Sequence, residues 1–188
     1  MQNAKAGQSL PLFCILHFAF CIDMHDGYIF TLGVCGSASD SGPAPACLDA
    51  MLAALPPVKR AAYLGEVLVS ESAPSLADPL TAPLLAEIAD AELLLIVTPL
   101  PGGALPARVR ALANGLSAAP PLARPRLAAL VAFGNAAAAL RPLRHALALA
   151  GVELLGELVA PAVSIEDAVS LARRAYAQAR LLQPDALQ

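Results

Sequence analysis

Tryptophan is absent from this 188-residue chain, histidine occurs three times, and only 14% of the residues are charged. The net charge is −3 and the Arg residues are scattered, so there is no basic stripe to track a nucleic-acid backbone. The four Cys (Cys14, Cys21, Cys35, Cys47) form no CxxC pair and no Cys/His ligand spacing, which argues against a zinc or dithiol site. Cys35 and Cys47 instead read as small buried apolar residues of a protein in a reducing, cytoplasmic compartment. The run Leu10–Ile22 is shorter than the roughly 20 residues a membrane span needs. Hydrolase and nucleotide signatures are missing too. No GxSxG elbow supports a triad from Ser37 and His145, and the glycines of Gly36–Gly42 lack the Walker Lys. Gly33-x-x-Gly36 is not a dinucleotide fingerprint. No catalytic acid, base or nucleophile and no metal site is expected.

What is present is apolar and helix-forming. The chain is 57% hydrophobic with 17 Pro, and much of the excess is Ala and Leu, as in a compact Ala-rich globule. Residues 1–26 differ from the rest, carrying Phe13-Cys-Ile15 and Phe20-Cys-Ile22 as a short repeat. They lack a good small-x-small cleavage site for a signal peptide. They are expected to be a non-native or disordered extension, with Met24 as the native start. Residues 27–183 then form one domain and 184–188 a tail.

From Tyr28 the chain alternates strand and helix five times. Strands are expected at Tyr28–Val34, Lys59–Leu64, Leu93–Val97, Arg126–Val131 and Val152–Val159. The continuous apolar run Leu93–Val97 predicts a strand covered on both faces. Helices are expected at about Pro43–Leu55, Pro79–Ala89 with Asp78 as N-cap, Pro106 to Leu116, and Leu140–Ala150. The last opens at Ser164-Ile-Glu-Asp167, a capping-box pattern, and buries Ile165, Val169, Ala172, Tyr176 and Ala179. A longer irregular segment, Gly65–Asp78, has the length of a lid or subunit contact.

Strands joined by single helices need right-handed crossovers, so the expected fold is α/β, a single doubly wound five-stranded parallel sheet in the order 2-1-3-4-5. Ligands in such sheets bind beyond the C-terminal strand ends, beside the switch point between strands one and three. Three loops reach that rim: Gly36–Gly42, Thr98–Leu105 and Phe133–Ala139. The first, a strand turning on Gly and Ser into a helix N-terminus, suits a phosphate.

Over about Tyr28 to Leu182 the chain resembles the NAD(P)H-dependent FMN reductases of the flavodoxin-like superfamily. The resemblance rests on Gly36-Ser37-Ala38-Ser39, on Ala89-Asp90 followed by an apolar strand and Thr98-Pro99, and on Gly102-Gly103-Ala104-Leu105-Pro106 with Val109-Arg110. Arg124-Pro125 and Gly134-Asn135 resemble the family's Lys-Pro and Gly-Gly positions. It implies FMN with its phosphate on Ser37, Ser39, Ser41 and neighbouring amides. The isoalloxazine would lie along Pro99, Leu100, Pro101 and Gly102, with Gly134 and Asn135 toward its other side. NADPH or NADH would be the co-substrate, a small molecule the electron acceptor, and the assembly a homodimer or homotetramer without membrane or nucleic-acid partners.

Departures from the family pattern bear on cofactor affinity. A basic residue often stands where Ser39 does, Asp40 adds a negative charge, Pro43 lacks an N–H, and Leu100-Pro101 replaces a common aromatic. On the residues alone, Ser37, Ser39 and Ser41 also suit turns and caps, Gly102-Gly103 a tight turn, and Asn135 a cap. Arg108 with Arg110, or Arg141 with Arg144, would suit nicotinamide-nucleotide phosphates or simply solvated helix faces. The expected function is therefore an FMN-dependent NAD(P)H oxidoreductase acting on free flavin, a quinone or another small acceptor. The alternative is a non-catalytic flavin-binding or interaction module of the same fold.

Overall fold

The computed structural model describes residues 29–39, 41–64, 82–122 and 126–182. Expectations for residues 1–28, Asp40, Gly65–Asp78 with the Asp78 cap, and the tail fall outside the described residues. The strands are β1 (Thr31–Cys35), β2 (Lys59–Tyr63), β3 (Leu93–Pro99), β4 (Arg126–Phe133) and β5 (Val152–Ala160). The helices are α1 (Pro43–Ala53), α2 (Ala82–Asp90), α3 (Ala107–Ala118), α4 (Arg141–Leu149) and α5 (Ile165–Leu181). All strand pairs are parallel and the order is β2-β1-β3-β4-β5, as expected.

Side chains alternate across a strand, so β3 feeds two cores. Leu94 and Ile96 join residues of α2, α3 and α4 on one face, while Leu93, Leu95 and Val97 join α1 and α5 on the other. Burial on both faces explains the unbroken apolar run. In β4 and β5 the register slips between Ala128 and Ala129, whose partners are Leu154 and Gly156, so Leu155 is the extra residue of a bulge.

The structure corrects several boundaries. β3 continues through Thr98 to Pro99, and β4 through Ala132 to Phe133, paired Thr98–Ala132 and Pro99–Phe133. Thr-Pro reads as a turn in sequence, yet Pro99 is tolerated because its missing N–H falls on the side facing β1. There Gly36 N–H donates to Val97 O at 2.8 Å, and the following rung, from residue 99 to Gly36 O, is the one Pro cannot make. The β1–β3 ladder thus ends while β3–β4 continues. α1 stops at Ala53, before its prolines, and Lys59 Nζ donates to the carbonyls of Leu52 and, at 2.7 Å, Leu55. A cation on the last carbonyls of a helix complements its dipole. α4 begins one residue late, after a 3₁₀ turn at Ala137–Leu140.

The α5 stripe also shifts. Ser164 Oγ accepts from Asp167 N–H at 3.2 Å, as the capping pattern requires. Buried beneath the helix, however, are Ala168, Leu171, Ala172, Ala175, Tyr176 and Ala179, whereas Ile165 is exposed and Val169 half-buried. Four alanines form a flat surface that lets α5 approach α1 and the sheet closely, and they set the face in place of the larger aliphatics.

Candidate functional site

Three loops leave the C-terminal ends of β1, β3 and β4 at one rim, and close backbone approaches knit them together. A Cβ added at Gly36 would lie 2.5 Å from Val109 Cγ2 and 2.6 Å from Thr98 Oγ1, so only glycine lets the first loop pass against β3 and α3. Leu100 N–H donates to Phe133 O at 2.9 Å, and Gly134 N–H to Ala160 O at 2.8 Å. A Cβ on Gly134 would stand 2.7 Å from Leu100 Cβ, which presses the β3 and β4 loops into contact. The rim is therefore one continuous surface beside the β1–β3 switch point.

Within the first loop the serines form a short chain. Ser39 N–H donates to Ser37 Oγ at 3.2 Å, Ser41 N–H donates to Ser39 Oγ at 3.2 Å, and the Ser39 and Ser41 hydroxyls share a hydrogen bond of 3.0 Å. Amides that donate into hydroxyl oxygens leave the Ser37 proton, and whichever of the Ser39 and Ser41 protons is not used between them, to point at an acceptor. Ser37 is half-buried; Ser39 and Ser41 are exposed. The helix that follows supplies fewer amides than expected. It opens Pro43-Ala44-Pro45, so two of the first three helical positions have no N–H, and Ala46 N–H is already bonded to Gly42 O. Hydroxyls, more than a helix N-terminus, are what this loop offers an anion.

In the second loop Pro101–Gly103 form a 3₁₀ turn, with Gly103 N–H donating to Leu100 O at 3.0 Å. Pro101 and Gly102 are exposed, Pro99 is half-buried, and nothing lies within 4 Å of a Cβ built on Gly102. Among the described residues beyond its chain neighbours, nothing crowds the outer side of Gly102. Leu100 differs from its neighbours: its side chain is buried in the core and its N–H and C=O are both bonded. It pins the second and third loops from beneath and presents no ring-facing side chain. Gly134 is half-buried and Asn135 exposed at the third loop.

The candidate cations divide. Arg144 holds Glu157 in a two-pronged bond, Nε–Oε2 at 2.8 Å and Nη2–Oε1 at 2.5 Å, which commits it to β5 and raises its pKa, chiefly through that hydrogen bond. Arg110 and Arg141 are exposed helix residues, as is His145. Arg108, half-buried in the first turn of α3, donates from Nη1 to Leu64 O at the end of β2. No sequence signal distinguishes it from Arg110, because what separates them is which way α3 faces.

Cys35 and Cys47 are free and fully buried behind the loop. Burial raises the Cys35 pKa despite the nearby Ser37 amide, and pushes Cys47 up to about 11. Both are protonated near neutral pH and unsuited to nucleophilic work. Among the described residues no group of three or more His, Cys, Asp or Glu could hold a metal, and no helix is long and apolar enough to cross a membrane. An apolar cavity of about 280 Å³ lined by Leu85, Ile88, Leu116, Leu122 and Ala150 lies elsewhere, toward the C-terminal ends of α3 and α4 and so near the opposite rim.

The architecture is similar to that of an NADH:FMN oxidoreductase in its apo form, with 16% identity, coverage of 83% of this chain and 91% of that one, and a TM-score of 0.61. An oxidoreductase from Corynebacterium diphtheriae is similar at 11% identity, covering 82% of this chain and 97% of that one, with a TM-score of 0.63. General stress protein 14 of Treponema denticola, solved in complex with FMN, is similar at 13% identity, covering 82% and 99%, with a TM-score of 0.54. No protein-family model and no curated protein matches the chain. At these identities the likeness establishes a shared fold.

Proposed function

We infer that this chain is an FMN-dependent NAD(P)H oxidoreductase whose acceptor is a free flavin, a quinone or another small molecule. The observation that carries this reading is the joining of three loops into one open rim at the β1–β3 switch point, with hydroxyls at one end and uncovered glycine backbone at the other. A protein of similar fold is described as an NADH:FMN oxidoreductase, and another is solved with FMN. Ser37, Ser39 and Ser41 hold the phosphate together with neighbouring amides, the Ser37 proton and one proton of the Ser39–Ser41 pair donating to it. Pro99, Pro101 and Gly102 border one side of the isoalloxazine, Gly134 and Asn135 the other, and Leu100 fixes the spacing between them from the core. When bound, FMN supplies the hydride chemistry. The chain's own residues have to bind, orient and keep water out, a role that calls for no side-chain acid, base or nucleophile. The chain acts in the cytoplasm as a homodimer or homotetramer, and residues 1–26 lie outside its functional domain.

A second reading keeps the fold and drops the turnover: a flavin-binding or interaction module. The Pro-Ala-Pro start of α1 and the lack of Lys or Arg in Gly36–Gly42 favour it, since both remove anion affinity. An absorbance spectrum with and without added FMN, followed by NADH and NADPH oxidation, separates the two. The oxidoreductase reading expects yellow protein that oxidises one of the nicotinamides. Yellow protein without oxidation selects the module, and colourless protein that ignores FMN rejects flavin binding altogether.

A further inference from the structure

The cavity of about 280 Å³ between α2 and α3 is walled, among the described residues, by Ala, Leu, Ile and Pro alone. What stands behind one of those walls is a cation. Arg126 opens β4, and because side chains alternate along a strand it shares the face of Ala128 and Leu130, which pack with α2, α3 and α4. The residue is only 9% exposed, and its Nη2 donates at 2.9 Å to the carbonyl of Ala89, which lines the cavity. Its Nε is buried without a hydrogen-bond partner. The acids around the end of α2 are occupied elsewhere or point to water. Glu87 pairs with Arg60 at 2.6 Å, Glu92 Oε2 accepts from Phe30 N–H at 2.6 Å, and Asp90 is exposed. Among the described residues, then, no carboxylate neutralises Arg126. Taking a guanidinium out of water without an anion costs free energy, and a carbonyl at the end of a helix offsets only part of it.

An apolar cavity with one buried, unneutralised cation against its wall suits a ligand that is apolar except for a single negative charge. At a share of ~30 Å³ for each water-sized group, the cavity has room for about nine non-hydrogen atoms. We propose that it binds a small monocarboxylic acid, with the apolar body among Leu85, Ile88, Leu116 and Leu122 and the carboxylate at the Ala89 end, toward Arg126. Arg126 then does two things: it caps the last turn of α2, and its charge selects an acid over a neutral molecule of the same shape. The site is independent of the flavin reading, since it lies toward the other rim and shares no residue with the three loops.

Benzoate matches that volume, and benzamide has nearly the same shape without the charge, so the test compares the two by ligand-observed NMR titration of the full chain. The wild type is expected to bind benzoate with millimolar or tighter affinity, and at least about fivefold more tightly than benzamide. Arg126→Met is expected to remove that preference while leaving benzamide binding within about twofold. Ala89→Leu, which enlarges the wall beside Arg126, is expected to weaken benzoate at least about fivefold. No benzoate binding, or equal binding of the two probes by the wild type, overturns the proposal. A preference that survives Arg126→Met also overturns it and leaves Arg126 a helix cap only. Benzoate binding untouched by Ala89→Leu places the ligand elsewhere and overturns the site. If Arg126→Met does not fold, the wild-type preference and its loss in Ala89→Leu decide.

Discussion

Gly134 and Gly102 lie in loops at the same rim of the sheet, yet a side chain at each would act through different physics. At Gly134 the obstacle is space: a Cβ would sit 2.7 Å from Leu100 Cβ and 3.3 Å from Leu100 O, and Leu100 is held by the core. Gly134→Ala is expected to cost about 1–3 kcal/mol in urea unfolding, as other overpacked sites do, and to weaken FMN binding by shifting Pro99–Gly102. At Gly102 space is free but φ is +59°, so Gly102→Ala is expected to cost only about 1 kcal/mol. Equal losses in the two variants would show that the Leu100 contact is not what holds the loops. For the proposed phosphate site, Ser37→Asp places a fixed negative charge where the reading above needs a hydroxyl proton. FMN affinity in that variant is expected to fall at least about tenfold by titration; an unchanged value would remove Ser37 from the phosphate site.

Among the elements, α5 shows how local chemistry and packing divide the work. Its start is set by Ser164, whose Oγ takes the Asp167 amide, and Ser164→Ala is expected to lower stability by about 1 kcal/mol in chemical denaturation. That start was legible in the sequence as Ser-x-x-Asp. Its buried face was legible in part: Ala172, Tyr176 and Ala179 are buried as expected, but Ala168, Leu171 and Ala175 turn inward with them and Ile165 and Val169 do not. Contact with α1 and the sheet made that choice. β3 teaches the same lesson at a strand end. Thr98-Pro99 carries a turn signal that holds on the β1 side, where the ladder stops, and fails on the β4 side, where pairing continues.

For the molecule as a whole, the two buried thiols make stability depend on alkaline pH. Cys47 has its pKa raised from the ordinary 9.0 to about 11, and Cys35 is raised as well, both mainly by burial. Above pH 9 the unfolded chain releases these protons while the folded chain keeps them, so the unfolded state binds fewer protons and stability falls as pH rises. The contribution is full below pH 9 and is lost progressively up to about pH 11, by an amount on the order of 2–3 kcal/mol for Cys47. Thermal unfolding across that window is expected to shift to lower temperature, and Cys47→Ala to flatten the slope. A wild-type profile that stays level from 9 to 11 would mean that the thiol is not protected by burial.

Hydrophobic period, proline and glycine punctuation and cap residues determined the element order, the parallel α/β sheet and the three loops that converge on one rim, because each of these depends on residues near one another in the chain. The tertiary structure alone decided that α5 buries Leu171 and not Ile165, that Leu100 turns into the core beneath the rim, and that Arg108 rather than Arg110 or Arg144 reaches the end of β2. Those outcomes depend on the direction in which one packed element faces another, and no spacing along the chain encodes that.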